Sequence, residues 1–488
     1  MFALFPVNAW IIVPLLMISI VLASFVSSKK VKLVIVTLMT IFIVMELISI
    51  YFSGGFINYQ FYVNLNINDI IEGLFIFKIQ ALLAIVAFFV LVFLLVKLST
   101  YFQQKLHFII RLAILIIALF SLNYHNGPID KLVEIYRVIR APKVAFNDAL
   151  GALNLASYPV KEDIEATKGK NIIVLSLESF EQGFLDRPNI TPNLNKLKHQ
   201  YSFYPNIPMG MGSSWTTASM YTYMTGMPFL IGGVNTSPLS DISQTQLVSL
   251  GDVLHKADYQ TRYIIGSPTF AGIGHIISLF GVDIISEKNY PGKYPTAPFG
   301  LYDKDTFDIA EHQVEELSKS DQPFALFIST ISTHAPNGFY DQRMENVIDK
   351  QLDDMSFAAA SLDYNLGQFI DYLEQKGLLA NTVFYIFPDH LMMGSGTKTI
   401  ATLSENPRFL YLLTNAQAAD LGEYTAKEGN IYQLDLPRII LDGAQIKTNA
   451  RFWTDSFSIG NGENRAAMIE NNITNIATLN RSAGVIQP

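Results

Sequence analysis

Four apolar runs near the N-terminus constrain the fold of this chain more than any other feature. They occupy residues 9–27, 33–52, 79–96 and 106–122, and each approaches the ~20 residues that a helix needs to cross a bilayer. Half of the 488 residues are hydrophobic and the mean hydropathy is +0.28, which is unusual for a wholly water-soluble protein. We therefore predict a transmembrane domain of about four helices over residues 1–124, with Arg111 snorkelling from a helix end.

Basic residues near these runs predict their orientation. Two basic clusters lie between runs: Lys29, Lys30 and Lys32 after the first, and Lys97, Lys105 and Arg111 around the junction of the last two. Lys and Arg concentrate in cytoplasmic loops, so everything after about residue 124 is expected outside. The first run has no basic leader and no small-residue cleavage pattern, which favours a retained anchor. Glu46, inside the second run, is expected to reach the membrane interface.

Beyond residue 171 short β-rich apolar runs alternate with helical patterns. The predicted strands cover residues 172–177, 261–265, 324–331, 382–387 and 409–413, and the helical patterns include 247–257, 306–318 and 357–375. This alternation predicts an α/β fold, with a mostly parallel sheet flanked by helices. We assign residues 171–465 to this extracytoplasmic domain and residues 466–488 to a C-terminal tail.

Residues 125–170 are predicted to form juxtamembrane linker helices. Helical spacing puts Leu132, Ile135, Val138 and Ile139 on one face. Such a helix is expected to lie along the membrane surface and link the anchor to the sheet domain.

Cysteine usage and charge exclude several classes of function. The chain has no Cys, so disulfides, thiolate metal sites and cysteine nucleophiles are impossible. Seven of the 34 Lys/Arg and three of the 42 Asp/Glu lie in residues 1–122, which leaves 27 basic against 39 acidic residues in the rest. A nucleic-acid-binding domain would need a basic face, so nucleic acid is not an expected partner.

Polar side chains follow several predicted strands at the point where each strand ends. Glu178 follows the first strand, Thr333 and His334 the third, and Asp389 and His390 the fourth. Ligands of open parallel sheets bind beyond the carboxyl ends of the strands. Any one of these residues alone is more simply a helix cap or a surface histidine, but their coincidence favours a functional site.

A second candidate stretch is residues 210–219, centred on Thr216. Small residues precede a Thr pair and a run that can form a helix, so a hydroxyl would lie where backbone N–H groups converge and can hold a phosphate. The alternative is that Ser213, Ser214 or Thr216 merely caps a helix.

Together these groups permit metal-assisted phosphoryl transfer. Two carboxylates, an imidazole and a hydroxyl form a donor set suited to Mn²⁺, Mg²⁺ or Zn²⁺. A metal on Thr216 would lower its hydroxyl pKa and create a nucleophile, which permits a covalent threonine intermediate. His334 could act as an acid or donate a hydrogen bond to phosphate.

With these residues placed, the sequence resembles the alkaline-phosphatase and sulfatase superfamily and, within it, the membrane-anchored phosphoglycerol transferases and lipoteichoic acid synthases. The matching stretches are Leu175-Ser-Leu-Glu-Ser, Thr191-Pro-Asn-Leu-Asn, Gly212-Ser-Ser-Trp-Thr-Thr-Ala, Tyr302-Asp303, Thr333-His334-Ala-Pro and Pro388-Asp-His-Leu-Met-Met. The resemblance implies a sulfatase-like catalytic domain at the bacterial inner membrane, on its periplasmic or extracellular side.

The resemblance also implies roles for single residues and partners. Glu178, Thr216, Asp389 and His390 would bind one divalent ion, Mn²⁺ or Mg²⁺ ahead of Zn²⁺, with Thr216 as the nucleophile. His334 would contact the substrate, and Trp215 is a further candidate for substrate binding. The donor would be phosphatidylglycerol, with diacylglycerol released, and the acceptor an extracytoplasmic glycan.

One segment departs from the family pattern. Relatives place an Arg or Lys against the anionic group, whereas residues 268–275 contain neither. Ile273 cannot pair with phosphate, although His275 could partly replace the missing cation; a loop shifted by a few residues is the alternative. Phosphoethanolamine transfer, a sulfatase-fold phosphodiesterase or hydrolase, and a non-catalytic membrane scaffold therefore stay open as functions. A formylglycine sulfatase is excluded, because no Cys or Ser with the required Pro and Arg surrounds Thr216.

Overall fold

The computed structural model describes residues 10–124, 127–234, 242–269, 272–393, 403, 408–421, 431–456 and 465–486, apart from the side chains at positions 68, 69, 72, 75, 76 and 486. Over these ranges the chain forms two compact units: the first runs to Arg137 and includes Met393, and the second contains the other described residues from Val138 on. The first unit is helical, and the second is built on a mixed sheet.

The helices of the first unit are α1 (Ile12–Ser24), α2 (Lys29–Ser53), α3 (Tyr59–Val63), α4 (Ile67–Ile76), α5 (Lys78–Lys105), α6 (Phe108–Ser121) and most of α7 (Pro128–Ile139). α2 and α5, with 25 and 28 residues, are long and apolar enough to cross a membrane, whereas α1 and α6 have only 13 and 14 residues. Fourteen residues span about 21 Å, against a hydrocarbon core of about 30 Å. Two of the four predicted crossings are therefore supported, and the count of four stays a prediction.

Polar residues inside this unit bond to backbone groups. α1 packs against α2, α5 and α6, and the Arg111 guanidinium of α6 donates to the carbonyl oxygen of Ser24 at the end of α1. Glu46 is fully buried, and its Oε2 accepts a hydrogen bond from the N–H of Ile57 at 3.0 Å. Glu46 thus holds the loop after α2. The sequence predicted that this carboxylate reaches the membrane interface, whereas in the structure it is buried against that loop.

α7 exposes an apolar face. Ile129, Leu132, Val133 and Tyr136 are each 36–58% exposed, whereas Val138 is fully buried. Their spacing of three and four residues places the exposed four on one side of the helix. Helical spacing in the sequence predicted that Leu132 and Val138 lie on the same face of α7, whereas the structure puts these two residues on different sides of the helix.

The strands of the second unit are β1 (Asn171–Leu177), β2 (Ser202–Ile207), β3 (Ile242–Thr245), β4 (Gln260–Ile264), β5 (Asp283–Ile285), β6 (Thr296–Ala297), β7 (Gly300–Leu301), β8 (Phe324–Ser329), β9 (Thr382–Pro388), β10 (Leu410–Thr414) and β11 (Gly484–Ile486). Seven of them form one sheet in the order β2-β10-β9-β1-β8-β4-β5. β9, β1, β8, β4 and β5 are parallel, and β10 is antiparallel to both of its neighbours.

The helices of this unit are α8 (Phe146–Gly151), α9 (Pro192–Gln200), α10 (Thr216–Thr225), α11 (Leu250–Lys256), α12 (Ile273–Leu279), α13 (Asp303–Leu317), α14 (Asp354–Gln375), α15 (Leu436–Gly443), α16 (Arg465–Asn471) and α17 (Ile473–Ala483). β8 and β9 are buried along their whole length, and β1 is buried from its second residue on, as expected of parallel strands covered on both faces. The predicted α/β fold with a mostly parallel sheet is confirmed, and β10 is the strand that runs antiparallel to its neighbours.

The C-terminal residues are part of the second unit. β11 pairs with β3 in an antiparallel ladder, and the Asn480 side chain of α17 donates to the carbonyl oxygens of Pro228 and Leu230 at 2.8 Å each. Asn480 also accepts a hydrogen bond from the Tyr221 hydroxyl of α10. The segment predicted as a tail, residues 466–488, therefore supports α10 over its described part.

Candidate metal and nucleophile site

The register of two neighbouring parallel strands brings two carboxylates together. Leu177, the last residue of β1, pairs with Pro388, the last residue of β9. Glu178 and Asp389 therefore leave the sheet side by side at its carboxyl edge. The N–H of Asp389 donates to the carbonyl oxygen of Leu177 at 3.0 Å, which fixes this pairing one residue beyond the strands.

Glu178, Asp389 and His390 form a buried cluster of potential metal ligands. One ligand atom from each lies within 4.8 Å of the others. His390 Nε2 is 3.5 Å from Glu178 Oε1 and 3.5 Å from Asp389 Oδ2. Ligands about 2.1 Å from a tetrahedral ion lie about 3.4 Å apart, so this spacing fits three donors around one cation.

Thr216 adds a hydroxyl to the cluster. It is the first residue of α10 and is partly exposed. Its Oγ1 donates to Glu178 Oε2 at 2.9 Å and lies 3.4 Å from His390 Nε2. The N-cap residue of α10 is Trp215, whose side chain makes no capping bond, so Thr216 is inside the helix and is not its N-cap.

The orientation of His390 suits a metal ligand. Its Nδ1 lies 2.8 Å from the carbonyl oxygen of Leu391, and a carbonyl accepts only, so Nδ1 carries the proton. This leaves the Nε2 lone pair directed towards Glu178 and Asp389, an arrangement typical of metal-bound imidazoles. The four donors therefore fit a divalent cation.

Burial and mutual charge control ionisation in the cluster. Burial, followed by the charge of Glu178, raises the pKa of Asp389 to about 7. Burial would also raise the pKa of Glu178, but the imidazoles of His390 and His334 outweigh it and hold that pKa below its ordinary value. Burial would lower the pKa of His390, but Asp389 and Glu178 outweigh it and raise that pKa. Two carboxylates facing one imidazole give an excess of negative charge that attracts a cation.

His334 borders the cluster from the loop after β8. Its Nδ1 lies 2.7 Å from the carbonyl oxygen of Ala335, and its ring lies 4.4 Å from that of Phe299, centroid to centroid. Buried Asp303 holds this loop by accepting hydrogen bonds from the N–H groups of Ile331 and Ser332 at 2.7 and 3.1 Å. The imidazole of His334 is therefore oriented by its own loop, with Nε2 as the remaining nitrogen.

A family model for sulfatases matches residues 170–449, more than half of the chain. The chain belongs to the sulfatase family. The matched segment begins one residue before β1 and contains Glu178, Thr216, Asp389 and His390.

Two curated relatives are named phosphoglycerol transferase I. The protein from Xanthomonas campestris pv. campestris (strain B100) is 28% identical over 260 residues, which cover 50% of this chain and 37% of the relative. The protein from Citrobacter koseri is 28% identical over 248 residues, which cover 46% of this chain and 31% of the relative. The chain thus matches about a third of the length of these relatives.

A solved structure supports the fold. The lipoteichoic acid synthase LtaP from Listeria monocytogenes superposes with a TM-score of 0.50 and 19% identity, covering 64% of this chain and 80% of that one. At this identity the similarity concerns the fold alone.

Three other residues that the sequence analysis considered for substrate binding, Trp215, Ile273 and His275, pack or bond outside the cluster of potential metal ligands. The Trp215 ring is buried and packs edge-on against Phe229, 5.5 Å between centroids. His275 lies on α12, and its Nε2 is 2.7 Å from the carbonyl oxygen of Ile242. Ile273, at the start of the same helix, is buried. Substrate contacts by Trp215 and His275 stay predictions.

Sequence reasoning missed Gln433. Its buried side-chain amide donates to the carbonyl oxygen of Asp389 at 2.5 Å and to Ser219 Oγ at 3.1 Å. One side chain therefore ties the end of β9 to α10, which carries Thr216. No local pattern marks a glutamine for this role, so the sequence offered no signal for it.

We expect the cluster to bind Mn²⁺ with a pH dependence set by Asp389. Because burial raises the pKa of Asp389 to about 7 and a ligand carboxylate must be ionised, affinity should fall by at least about tenfold per pH unit below that value, with protonation of His390 adding to the loss. Thermal unfolding of protein stripped with EDTA and titrated with Mn²⁺ at several pH values measures this.

Asp389→Asn is the control for this titration. It keeps an oxygen that can accept the N–H groups of Ser179 and His390, but it loses the charge, so Mn²⁺ should no longer stabilise the protein. Equal wild-type affinity at pH 5.5 and 7.5 would contradict the expectation, because the first value lies about 1.5 units below the pKa and the second about 0.5 unit above it.

Proposed function

We propose that this protein transfers phosphoglycerol from phosphatidylglycerol to an extracytoplasmic glycan, through a covalent intermediate on Thr216. The observation that carries the proposal is the position of the Thr216 hydroxyl, 2.9 Å from a Glu178 oxygen at the partly exposed start of α10. The relatives named phosphoglycerol transferase I support the choice of donor group.

The chain's own residues account for the activation of Thr216. A divalent cation held by Glu178, Thr216, Asp389 and His390, Mn²⁺ or Mg²⁺ ahead of Zn²⁺, would lower the pKa of the Thr216 hydroxyl and neutralise charge on the phosphoryl oxygens. Glu178 Oε2 accepts the hydroxyl hydrogen and orients Oγ1. The N-terminus of α10 adds positive potential where the phosphate would lie.

The proposed reaction has two displacement steps. In the first, Thr216 Oγ1 bonds to the phosphorus of phosphatidylglycerol, the bond to diacylglycerol breaks, and the leaving oxygen gains the proton lost by Thr216. In the second, a glycan hydroxyl bonds to the same phosphorus, Thr216 Oγ1 leaves, and the acceptor's proton returns to it. His334 is the candidate hydrogen-bond donor to the phosphoryl group.

A lipid donor places the protein at a membrane. α2 and α5 are each long and apolar enough to cross one, and the basic residues around them favour a multi-pass protein of the bacterial inner membrane with residues after 124 outside. We keep the division into an anchor (1–124), linker helices (125–170) and a catalytic domain (171–465) as part of the proposal. α7 would then lie in the outer interface with its exposed apolar face in lipid.

Phosphoethanolamine transfer is the second candidate. Residues 268–275 contain no Arg or Lys, and Ile273 is buried in α12, so this segment offers no strong cation to an anionic group. A zwitterionic head group would need less positive charge there. A hydrolase or a non-catalytic scaffold would form no stable adduct with either lipid.

Thr216→Ala should abolish covalent labelling and reduce transfer by about a thousandfold or more, since the bond-forming oxygen is lost. Purified protein is incubated with phosphatidylglycerol or with phosphatidylethanolamine, and the intact mass is measured. A gain of glycerol phosphate on the wild type supports the proposal, and a gain of ethanolamine phosphate supports the second candidate.

Thr225→Ala is the matched control, because it removes the same side chain at the other end of α10, where Oγ1 bonds only within the helix region. Thr225→Ala should form the same lipid-derived covalent adduct as the wild type. Normal labelling of Thr216→Ala would show that the nucleophile is another residue, with Thr217 the next to test.

The absence of Cys makes the membrane position of α7 measurable. Single Cys residues at Leu132 and Tyr136, carrying nitroxide labels in phosphatidylglycerol liposomes, should be accessible to oxygen, and one at Asp130 on the polar side should be accessible to a nickel complex. Nickel access at all three positions, or protection from both reagents at Leu132 and Tyr136, would contradict the interfacial position.

A further inference from the structure

Ser179 contacts both carboxylates of the cluster. Its hydroxyl donates to Glu178 Oε1 at 2.7 Å, and its backbone N–H donates to Asp389 Oδ1 at 2.8 Å. Ser179 is fully buried, so water does not compete for either bond. One residue therefore links the end of β1 to the end of β9 through groups next to the proposed ligands.

The backbone of Ser179 adopts a conformation that serine avoids. Its φ is +54°, in the left-handed region that is uncommon for residues other than Gly, Asn and Asp. Such conformations persist where the surrounding structure holds them, and they concentrate at functional sites. This φ turns the chain directly after Glu178, and in the resulting geometry the N–H faces Asp389 while the hydroxyl returns to Glu178.

The two bonds fix one oxygen of each carboxylate. Glu178 Oε1 and Asp389 Oδ1 are held by Ser179, and Asp389 Oδ1 also accepts the N–H of His390 at 2.7 Å. Glu178 Oε2 faces Thr216, whereas Glu178 Oε1 and Asp389 Oδ2 each lie 3.5 Å from His390 Nε2. Both carboxylates are thus held in orientations that face the Thr216 and His390 donors.

We propose that Ser179 is a positioning residue that sets the spacing and orientation of the Glu178 and Asp389 carboxylates for binding a cation. This inference rests on the metal site of the proposed function. The hydroxyl and N–H of Ser179 offset part of the repulsion between the two carboxylates and restrict the rotation of each. Hydrogen bonds of this kind to ligand carboxylates raise metal affinity by about 10–100-fold.

Ser179→Gly separates positioning from a purely structural role. Glycine adopts a φ of +54° without strain and keeps the N–H, so only the side chain with its bond to Glu178 is lost. We expect the metal-free variant to keep a cooperative unfolding transition, while its affinity for Mn²⁺ falls about tenfold or more. Isothermal titration of EDTA-treated full-length protein with Mn²⁺ gives the affinity without relying on catalysis.

Two further variants sharpen the result. Ser179→Ala loses the same hydroxyl but keeps the unfavourable φ, so it should match Ser179→Gly in Mn²⁺ affinity and unfold at a lower temperature. Gln445→Gly relieves a similar φ of +61° at an exposed site, and its Mn²⁺ affinity should equal that of the wild type.

Several results would overturn the inference. They are wild-type Mn²⁺ affinity in Ser179→Gly, loss of the cooperative unfolding transition in metal-free Ser179→Gly, or no Mn²⁺ binding by the wild type itself. If Ser179→Gly weakens Mn²⁺ binding but wild-type protein forms no adduct with phosphatidylglycerol, the inference stands and the proposed function fails. If adducts form normally and Ser179→Gly binds Mn²⁺ like the wild type, the function stands and the inference fails.

Discussion

The confinement of two buried carboxylates, Glu178 and Asp389, at the ends of neighbouring strands determines the rest of the site. Two negative charges about 5 Å apart repel by about 3 kcal/mol at an effective dielectric constant of about 20. Two features offset this repulsion. The pKa of Asp389 rises to about 7, which favours its neutral form, and Ser179 donates a hydrogen bond to each carboxylate. A divalent cation would offset this repulsion, so the arrangement suits a metal site.

The surrounding structure is arranged to hold this confinement. The pairing of Leu177 with Pro388 fixes the two strand ends, and Gln433 joins the end of β9 to α10. α17 supports α10 in turn through Asn480. The hydroxyl of Thr216 therefore reaches the carboxylates from a helix that is anchored at several points, so a nucleophile there would not need to be reordered during a reaction.

Sequence patterns predicted the central strands and the convergence of residues at their ends, but not the details that hold them. β1, β8 and β9 are continuous apolar runs, and the polar residue after each one is visible in the sequence. β5 has only three residues and β2 contains a Pro, so neither has a recognisable strand pattern. Ser179 and Gln433 act through a backbone angle and a long-range amide contact, which depend on tertiary structure and leave no local signal.

Diffraction from crystals grown with Mn²⁺, recorded for its anomalous signal, would locate the ion directly. We expect one strong peak about 2.0–2.5 Å from a carboxylate oxygen of Glu178, a carboxylate oxygen of Asp389, His390 Nε2 and Thr216 Oγ1. If the protein is saturated with Mn²⁺ but the ion lies elsewhere, or Thr216 is turned away from it, Glu178, Thr216, Asp389 and His390 do not form the metal site.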